Sequence, residues 1–154
     1  MQPRLKLLVG VVLVAGIAGV AHAQALFGKV EDVIKYRQSA LFVMGQHFGR
    51  IGAVVKGERP FDKAEVATNA AIVEAMSKLP WDAFLTGTDK GETHAKPEIW
   101  TDAAKFKSRH EKLEQETAKL AQVAKGGDLN AIKAQFGETG KACKACHDDF
   151  RRKE

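Results

Sequence analysis

The chain has 154 residues and a formal net charge of +5, with 45% hydrophobic and 28% charged residues. This length suits one domain and argues against a second of ordinary size. The basic residues do not form a run, which disfavours nucleic-acid binding, and 2 cysteines are too few for a disulfide framework.

The chain begins with a predicted signal peptide, residues 1–23. Arg4 and Lys6 make its start basic, residues 7–20 are apolar, and residues 21–23 (A-H-A) have the small side chains that precede a cleavage site. The apolar run is about 14 residues, shorter than the roughly 20 that cross a bilayer as a helix. We therefore expect export to the periplasm and a mature domain of residues 24–154, without a membrane span.

The first predicted helix covers residues 30–56 and is stopped by Gly57. Its apolar side chains recur with the period of a buried helix face, at Ile34, Leu41, Met44, Phe48, Ile51 and Val55. Arg37 lies on the same face. An unpaired buried guanidinium is costly, so we expect Arg37 either to meet an anion or to reach water at the end of the bundle.

The next two predicted helices are separated by the one long predicted loop. The expected bounds are Asp62 to Lys78 for the second helix, residues 80–97 for the loop and residues 102–125 for the third helix. Asp62 has the character of a helix cap, and Pro80 ends the helix. Trp81 and Phe84 could pack the loop, and Gly126-Gly127 would close the third helix.

The fourth predicted helix begins at the cap Asp128 and carries both cysteines near its end. Cys143 and Cys146 fall on its apolar stripe, and His147, four residues after Cys143, shares that side. Gly137 and Gly140 are poor helix formers, which suggests a flat ligand or a neighbouring backbone close to them. Together the four helices predict an all-α, antiparallel up-down-up-down four-helix bundle.

Three interpretations compete for the C-x-x-C-H sequence of residues 143–147. A disulfide or two buried thiols would be purely structural, but a bridge within one helical turn closes almost no loop. A redox pair of the thioredoxin type belongs at the start of a helix that follows a strand. Covalent attachment of haem requires two thiols one turn apart and an adjacent imidazole as an axial iron ligand, which this pattern supplies.

The chemistry of such a haem depends on the sixth iron ligand. Methionine or histidine there would saturate the iron and give an electron carrier, whereas an apolar side chain would leave a place for a small gas. The mature chain offers Met44, Met76, His47, His94 and His110 as possible second ligands, and none of them lies in a specific ligand motif.

Four stretches of the chain resemble the cytochromes c′, the class II c-type cytochromes of bacterial periplasms. They are KYRQSALFVMGQHFGR (35–50), LPWDAF (79–84), KPEIWTD (96–102) and FGETGKACKACHDDFR (136–151). The resemblance implies a four-helix bundle, usually a homodimer paired through its first two helices, with one covalent haem c per chain. It also implies a five-coordinate, mostly high-spin haem that binds nitric oxide and carbon monoxide.

The resemblance also implies roles for individual residues. Cys143 and Cys146 match the thioether cysteines, His147 the axial ligand and Leu41 the bulky apolar residue over the other iron face. Four further positions match residues near the macrocycle: Arg37, Trp81, Phe84 and Arg151. Arg151 could equally be a solvated residue of the basic tail, and Trp81 and Phe84 could simply pack the loop.

We therefore expect a periplasmic haem protein, not an enzyme, that binds small gases and exchanges electrons with an unidentified redox partner. Two other interpretations stay open. In one, Met44 is the sixth ligand of a low-spin electron carrier, because some class II relatives use a methionine of the first helix. In the other, the protein is metal-free and its cysteines oxidise together.

Overall fold

The computed structural model describes residues 27–153. The predicted signal peptide, residues 1–23, lies outside them. The helices are α1 (Val30–Val55), α2 (Lys63–Met76), α3 (Glu98–Thr101), α4 (Ala103–Gly126) and α5 (Leu129–Phe150), with a 3-10 turn at Trp81–Ala83. No strand occurs in the described part of the chain, where one isolated bridge joins Ala95 to Arg151.

Side-chain caps and one glycine set most of the helix ends. The carboxylate of Asp62 accepts a hydrogen bond from the Glu65 amide at 2.9 Å, Asp102 accepts from Lys105 at 3.3 Å, and Asp128 accepts from Asn130 at 2.8 Å. Gly127 ends α4 with a φ of 81°, a backbone conformation that favours glycine. The predicted caps Asp62 and Asp128 and the predicted closing glycine are therefore confirmed, whereas Asp102, predicted as the first residue of its helix, is the cap instead.

Two predicted bounds are wrong. The second helix ends at Met76 rather than Lys78, because residues 77–79 form tighter turns before Pro80. The predicted loop contains the 3-10 turn, and α3 lies between that loop and the third predicted helix. Asp102 separates α3 from α4 by leaving the helical conformation.

The four long helices form the predicted antiparallel bundle. Helix α1 packs against α2 and α5, α2 packs against α4, and α4 packs against α5. The main core lies between them, with Ile51, Val66, Leu120 and Ile132 almost fully buried. A smaller apolar cluster of Ile99, Phe106, Cys146 and Phe150 lies beside the loop.

Within the described residues, Gly137 and Gly140 of the last helix are not crowded by a neighbouring part of the protein, whereas Gly52 of α1 is. Outside the helix's own backbone, no described protein atom lies within 4 Å of a Cβ built at Gly137, and at Gly140 the nearest is the Phe48 ring at 4.0 Å. A Cβ at Gly52 of α1 would instead meet the Phe136 ring at 3.0 Å. A crowding neighbouring backbone is therefore the wrong explanation for Gly137 and Gly140.

None of the helices within residues 27–153 combines the length and the apolar character that a bilayer span demands.

Candidate haem site

A cavity of about 490 Å³ opens between α1, α5 and the loop that precedes α3. Its volume lies in the range of small-molecule and cofactor sites. The structure places all the predicted site residues on its lining: Arg37, Leu41, Trp81, Phe84, Cys143, Cys146, His147 and Arg151. Their roles as haem contacts stay predictions, but the fold brings them together.

Helix α5 presents both thiols to this cavity. Cys146 is buried and Cys143 is half-buried, and neither is in a disulfide. Burial raises the pKa of Cys143 above its ordinary value and that of Cys146 to about 11. A thioredoxin-like redox pair needs the opposite shift, so this environment argues against that interpretation.

His147 lies beside the thiols, near the end of α5, and lines the cavity while keeping an exposed surface. Partial burial lowers its pKa, and the positive charge of Arg151 acts in the same direction. Both effects favour the neutral imidazole, the form that binds metals. The Arg151 amide closes the helix by donating to the carbonyl of His147 at 3.0 Å.

Helix α1 supplies apolar side chains to the other part of the lining. Leu41 is half-buried against the main core. Met44, three residues later on the same helix, is buried. The Leu41 side chain has no atom that could bind a metal or donate a hydrogen bond, whereas the thioether sulfur of Met44 could bind a metal. Both residues line the cavity, so the choice between the two proposed haem types concerns this short stretch of α1.

Arg37 is the most buried charged side chain of the described region, with an exposure of 1%. Its guanidinium donates to the carbonyls of Ala83 and Thr88 at 3.0 and 2.7 Å. It also donates to the hydroxyls of Thr88 and Thr93 at 2.6 and 3.0 Å. The predicted path to water at the end of the bundle is therefore wrong. A set of neutral loop oxygens satisfies the cation instead.

The charge of Arg37 is kept despite this burial. Desolvation lowers its pKa to about 10, which is still well above neutral pH. The guanidinium carbon lies 4.6 Å from the centre of the Phe84 ring and 5.9 Å from that of Trp100, distances that allow cation–π attraction. Arg37 thus carries a positive charge on the cavity lining, where an anionic group of a ligand could meet it.

Aromatic rings form one wall of the cavity. Trp81 donates its indole N–H to the Ser77 carbonyl at 2.6 Å, and its ring lies 5.9 Å from that of Phe106. Phe106 also packs against Phe84 at 4.9 Å and Phe150 at 5.2 Å. Sequence analysis missed Phe106 and Phe150 as cavity residues, because their positions on apolar stripes identify only core.

Besides Met44, the sequence offered three histidines and Met76 as possible second iron ligands. His47 lies 2.7 Å from the amide oxygen of Asn69, and His110 lies 3.0 Å from Glu114 and stacks on Trp81 at 4.8 Å. His94, a loop residue among the possible second ligands, lines the cavity. Met76 packs against the main core. Of the candidate second ligands, Met44 and His94 reach the cavity lining.

The donor set and the lining fit a haem group. Two thiols one helical turn apart match the two vinyl groups, and the adjacent imidazole matches an axial iron ligand. The lining is mainly aliphatic and aromatic, as a macrocycle requires, with Arg37 and Arg151 as positive groups.

Comparison with known proteins agrees with this chemistry. The family profile described as Cytochrome C′ matches residues 32–151. Cytochrome c′ of Alcaligenes xylosoxydans xylosoxydans is 48% identical over 128 residues, which are 83% of this chain and 99% of the relative. The crystal structure of cytochrome c′ from Rubrivivax gelatinosus matches with a TM-score of 0.79 and 50% identity, over 82% of this chain and 99% of that chain.

A third similar protein has been solved with a gas. It is the nitric oxide complex of a leucine-to-isoleucine variant of cytochrome c prime from Alcaligenes xylosoxidans. It matches with a TM-score of 0.78 and 47% identity, over 82% of this chain and 99% of that chain. Sequence and fold therefore agree across nearly the whole length of these relatives. The chain belongs to the cytochrome c′ family and is a c′-type haem protein, whose cofactor is covalently bound haem c.

Proposed function

We propose that this protein is a periplasmic cytochrome c′ with a five-coordinate, high-spin haem that binds nitric oxide and carbon monoxide. The observation that carries the proposal is the composition of one cavity. It brings the thiols and imidazole of α5 together with the leucine of α1. The haem, when bound, supplies an iron centre that takes up small gases and exchanges single electrons.

In this proposal α5 holds the cofactor. Cys143 and Cys146 form the two thioether bonds, and the imidazole of His147 is the axial ligand. All three residues belong to one regular helix that runs to Phe150, so the attachment points are rigidly spaced. Trp81 and Phe84 contact the macrocycle, and Arg37 and Arg151 attract its propionates.

Leu41 decides the coordination number in this proposal. Its side chain lines the cavity, offers no ligand atom and would leave the second iron position to a gas. The nitric oxide complexes of similar cytochromes c prime support gas binding by this chain as well. We propose gas binding and electron transfer with an unidentified redox partner, and no enzymatic reaction.

The test is a mass measurement and an optical spectrum of the exported protein. We expect a mass increased by one haem that persists under denaturing conditions, and a high-spin spectrum that changes on adding nitric oxide or carbon monoxide. The variant Cys143→Ala should keep at most one covalent link, and Lys144→Ala is the matched control between the cysteines. A chain without added haem would refute the proposal.

A second candidate rests on the position of Met44 on the cavity lining. If its thioether were the sixth ligand, the protein would be a low-spin electron carrier without an open gas site. The spectrum separates the two candidates, and Met44→Leu sharpens the comparison. A low-spin spectrum that becomes high-spin in Met44→Leu would establish the second candidate, whereas a high-spin spectrum in both proteins supports the first.

Location and assembly are further parts of the proposal. The basic and apolar start of the chain supports export through a signal peptide, residues 1–23, which leaves residues 24–154 as the mature domain. The side chains of Tyr36, Phe42 and Val43 on α1 are exposed although apolar. Such a patch favours a homodimer paired through α1.

A further inference from the structure

Thr93 is a loop residue whose hydroxyl and backbone carbonyl oxygens both accept hydrogen bonds. It is 9% exposed. Its hydroxyl oxygen accepts from a guanidinium N–H of Arg37 at 3.0 Å and from the Ala95 amide at 3.2 Å. Its carbonyl accepts from the Arg152 guanidinium, and its own amide donates to Gly91 at 2.8 Å. Thr93 therefore contacts α1, its own loop and the C-terminal tail at once.

The loop beside Thr93 is fastened to the end of α5 by main-chain hydrogen bonds. The Lys96 amide donates to the Phe150 carbonyl at 3.0 Å, and the Arg152 amide donates to the His94 carbonyl at 2.8 Å. These bonds flank the bridge between Ala95 and Arg151. The loop and the tail thus form a short antiparallel pair directly after the helix turn that contains His147.

The side chain of Lys96 strengthens the same attachment. Its ammonium donates to the carbonyls of Asp148 at 2.8 Å and Asp149 at 3.2 Å, within the last turn of α5. These carbonyls have no partner further along the helix, and a cation is favourable at this end of the helix dipole. The loop therefore caps the helix that carries His147.

On its other side, the loop holds Arg37, which lies one helical turn before Leu41 on α1. Thr93 thus links the turn before Leu41 to the tail that follows His147: its hydroxyl accepts from Arg37, and its backbone carbonyl accepts from Arg152. Leu41 and His147 are the two residues proposed for the opposite faces of the haem. Thr93 lies between Arg37, one turn before Leu41, and the tail that follows His147.

We propose that Thr93 is a positioning residue that couples the two walls of the haem cavity, so that α1 beside Leu41 and the end of α5 beside His147 adjust together. This inference rests on the proposed function, because the two walls matter only if haem lies between them. Coupling of this kind requires a direct test, since a chain of contacts does not by itself establish it.

The first test uses the complete haem protein and measures amide hydrogen exchange. Thr93→Val keeps the shape of the side chain and the backbone carbonyl but removes the hydroxyl. We expect the amide of Ala95, which loses its acceptor, to exchange about tenfold faster. The amide of Arg152, which donates to His94 in the adjoining pair, should also exchange faster if the loop loosens from the tail. Thr93→Ser retains the hydroxyl and should exchange like the unmodified protein.

The second test measures the association rate of carbon monoxide with the ferrous protein. Thr93 itself lines the cavity, so its substitution is read together with that of a tail residue that does not. If Thr93 couples the walls, Thr93→Val should change this rate by about threefold or more, and Thr93→Ser should keep the rate of the unmodified protein. Arg152→Gln, which removes only the side-chain bond from the tail, should change the rate in the same direction. In the double variant the effects should be less than additive, because both act on one network.

The coupling is overturned if Thr93→Val accelerates amide exchange without changing the carbon monoxide rate, or if it changes neither. These outcomes differ from a failure of the proposed function, which would appear in the unmodified protein as missing or low-spin haem. The exchange measurement does not depend on gas binding.

Discussion

Leu41 and Arg37 lie one turn apart on the same buried face of α1 and have different roles. Leu41 contributes bulk to the cavity, whereas Arg37 fastens the loop that closes it. In the proposed site the bulk of Leu41 would matter kinetically, because a gas would first have to displace this side chain to reach the iron. Each 1.4 kcal/mol of that displacement slows binding about tenfold.

The substitution Leu41→Ala should therefore raise the association rate of carbon monoxide by at least about tenfold, measured by flash photolysis or stopped flow. Val54→Ala is the matched control, because Val54 is buried on the same helix but does not line the cavity. It should lower stability without changing the rate. Equal rates in Leu41→Ala and the unmodified protein would remove Leu41 from its proposed position.

Arg37→Met removes the hydrogen bonds to the loop but keeps a side chain of similar length. We expect the free energy of unfolding to fall by about 2–4 kcal/mol, because several charge-assisted hydrogen bonds are lost while a buried charge is relieved. Denaturant titration measures this. Arg50→Met, at an exposed position of α1, should change stability by less than about 0.5 kcal/mol.

The reduction potential of Arg37→Met distinguishes two further roles. A lowered potential would support contact between the guanidinium and a haem propionate, since removal of a positive charge disfavours the reduced haem. An unchanged potential combined with lost stability would leave Arg37 as an anchor of the loop alone.

At the level of elements, the contact between α4 and α5 is organised around one buried carboxylate. Glu116 is 4% exposed and accepts hydrogen bonds from Lys112 at 2.7 Å, Lys119 at 3.0 Å and Gln135 of α5 at 2.6 Å. Its backbone carbonyl also accepts from Thr139 at 3.3 Å. The side-chain bonds hold the pKa of Glu116 at about 2.

Because this folded-state pKa lies below the unfolded value of about 4.3, ionised Glu116 stabilises the fold above pH 4.3 and loses that contribution as the pH falls towards 2. Glu116→Gln should lower the free energy of unfolding by about 1–3 kcal/mol at pH 7. The difference between the two proteins should shrink between pH 4.3 and about 2, as followed by denaturant titration at several pH values.

Glu111→Gln is the control on the same helix. Glu111 is exposed and pairs with Lys107 at 3.7 Å, so its substitution should change stability by less than about 0.5 kcal/mol at any pH. A pH-independent difference between Glu116→Gln and the unmodified protein would contradict the proposed ionisation of Glu116.

For the whole molecule, the exposed apolar side chains of α1 are the feature that the single chain does not explain. Phe42 is 65% exposed and Val43 36% exposed, and Tyr36, about two turns earlier on the same helix, is 39% exposed. In a symmetric dimer both copies contribute the same side chain to the interface, so one substitution acts twice on the free energy of association.

Val43→Asp should therefore weaken a dimer by about 3 kcal/mol, or about a hundredfold in Kd, since each copy would bury an unpaired carboxylate in the interface at a cost of about 1.5 kcal/mol or more. Sedimentation analysis measures this, and Val43 is preferred to Phe42 because it does not line the haem cavity. Phe61→Asp, at an exposed apolar position between α1 and α2, should leave association unchanged. A protein that is monomeric before substitution would contradict the dimer.

Local sequence determined the four long helices and the covalent attachment motif. The caps Asp62, Asp102 and Asp128 act within a few residues, and the spacing of Cys143, Cys146 and His147 is a property of a single helix turn. Such short-range features can be predicted because their geometry does not depend on the rest of the fold.

Only the tertiary structure decided what surrounds that motif. The partners of Arg37 come from residues 46 to 56 positions away, and Thr93 binds the tail 59 positions further on. From sequence alone Phe106 and Phe150 are indistinguishable from ordinary core residues, and only the packing of α1, α4, α5 and the loop places both on the cavity lining. Hydrogen-bond partners distant in sequence leave no periodic signal, because they depend on how the helices and the loop pack together.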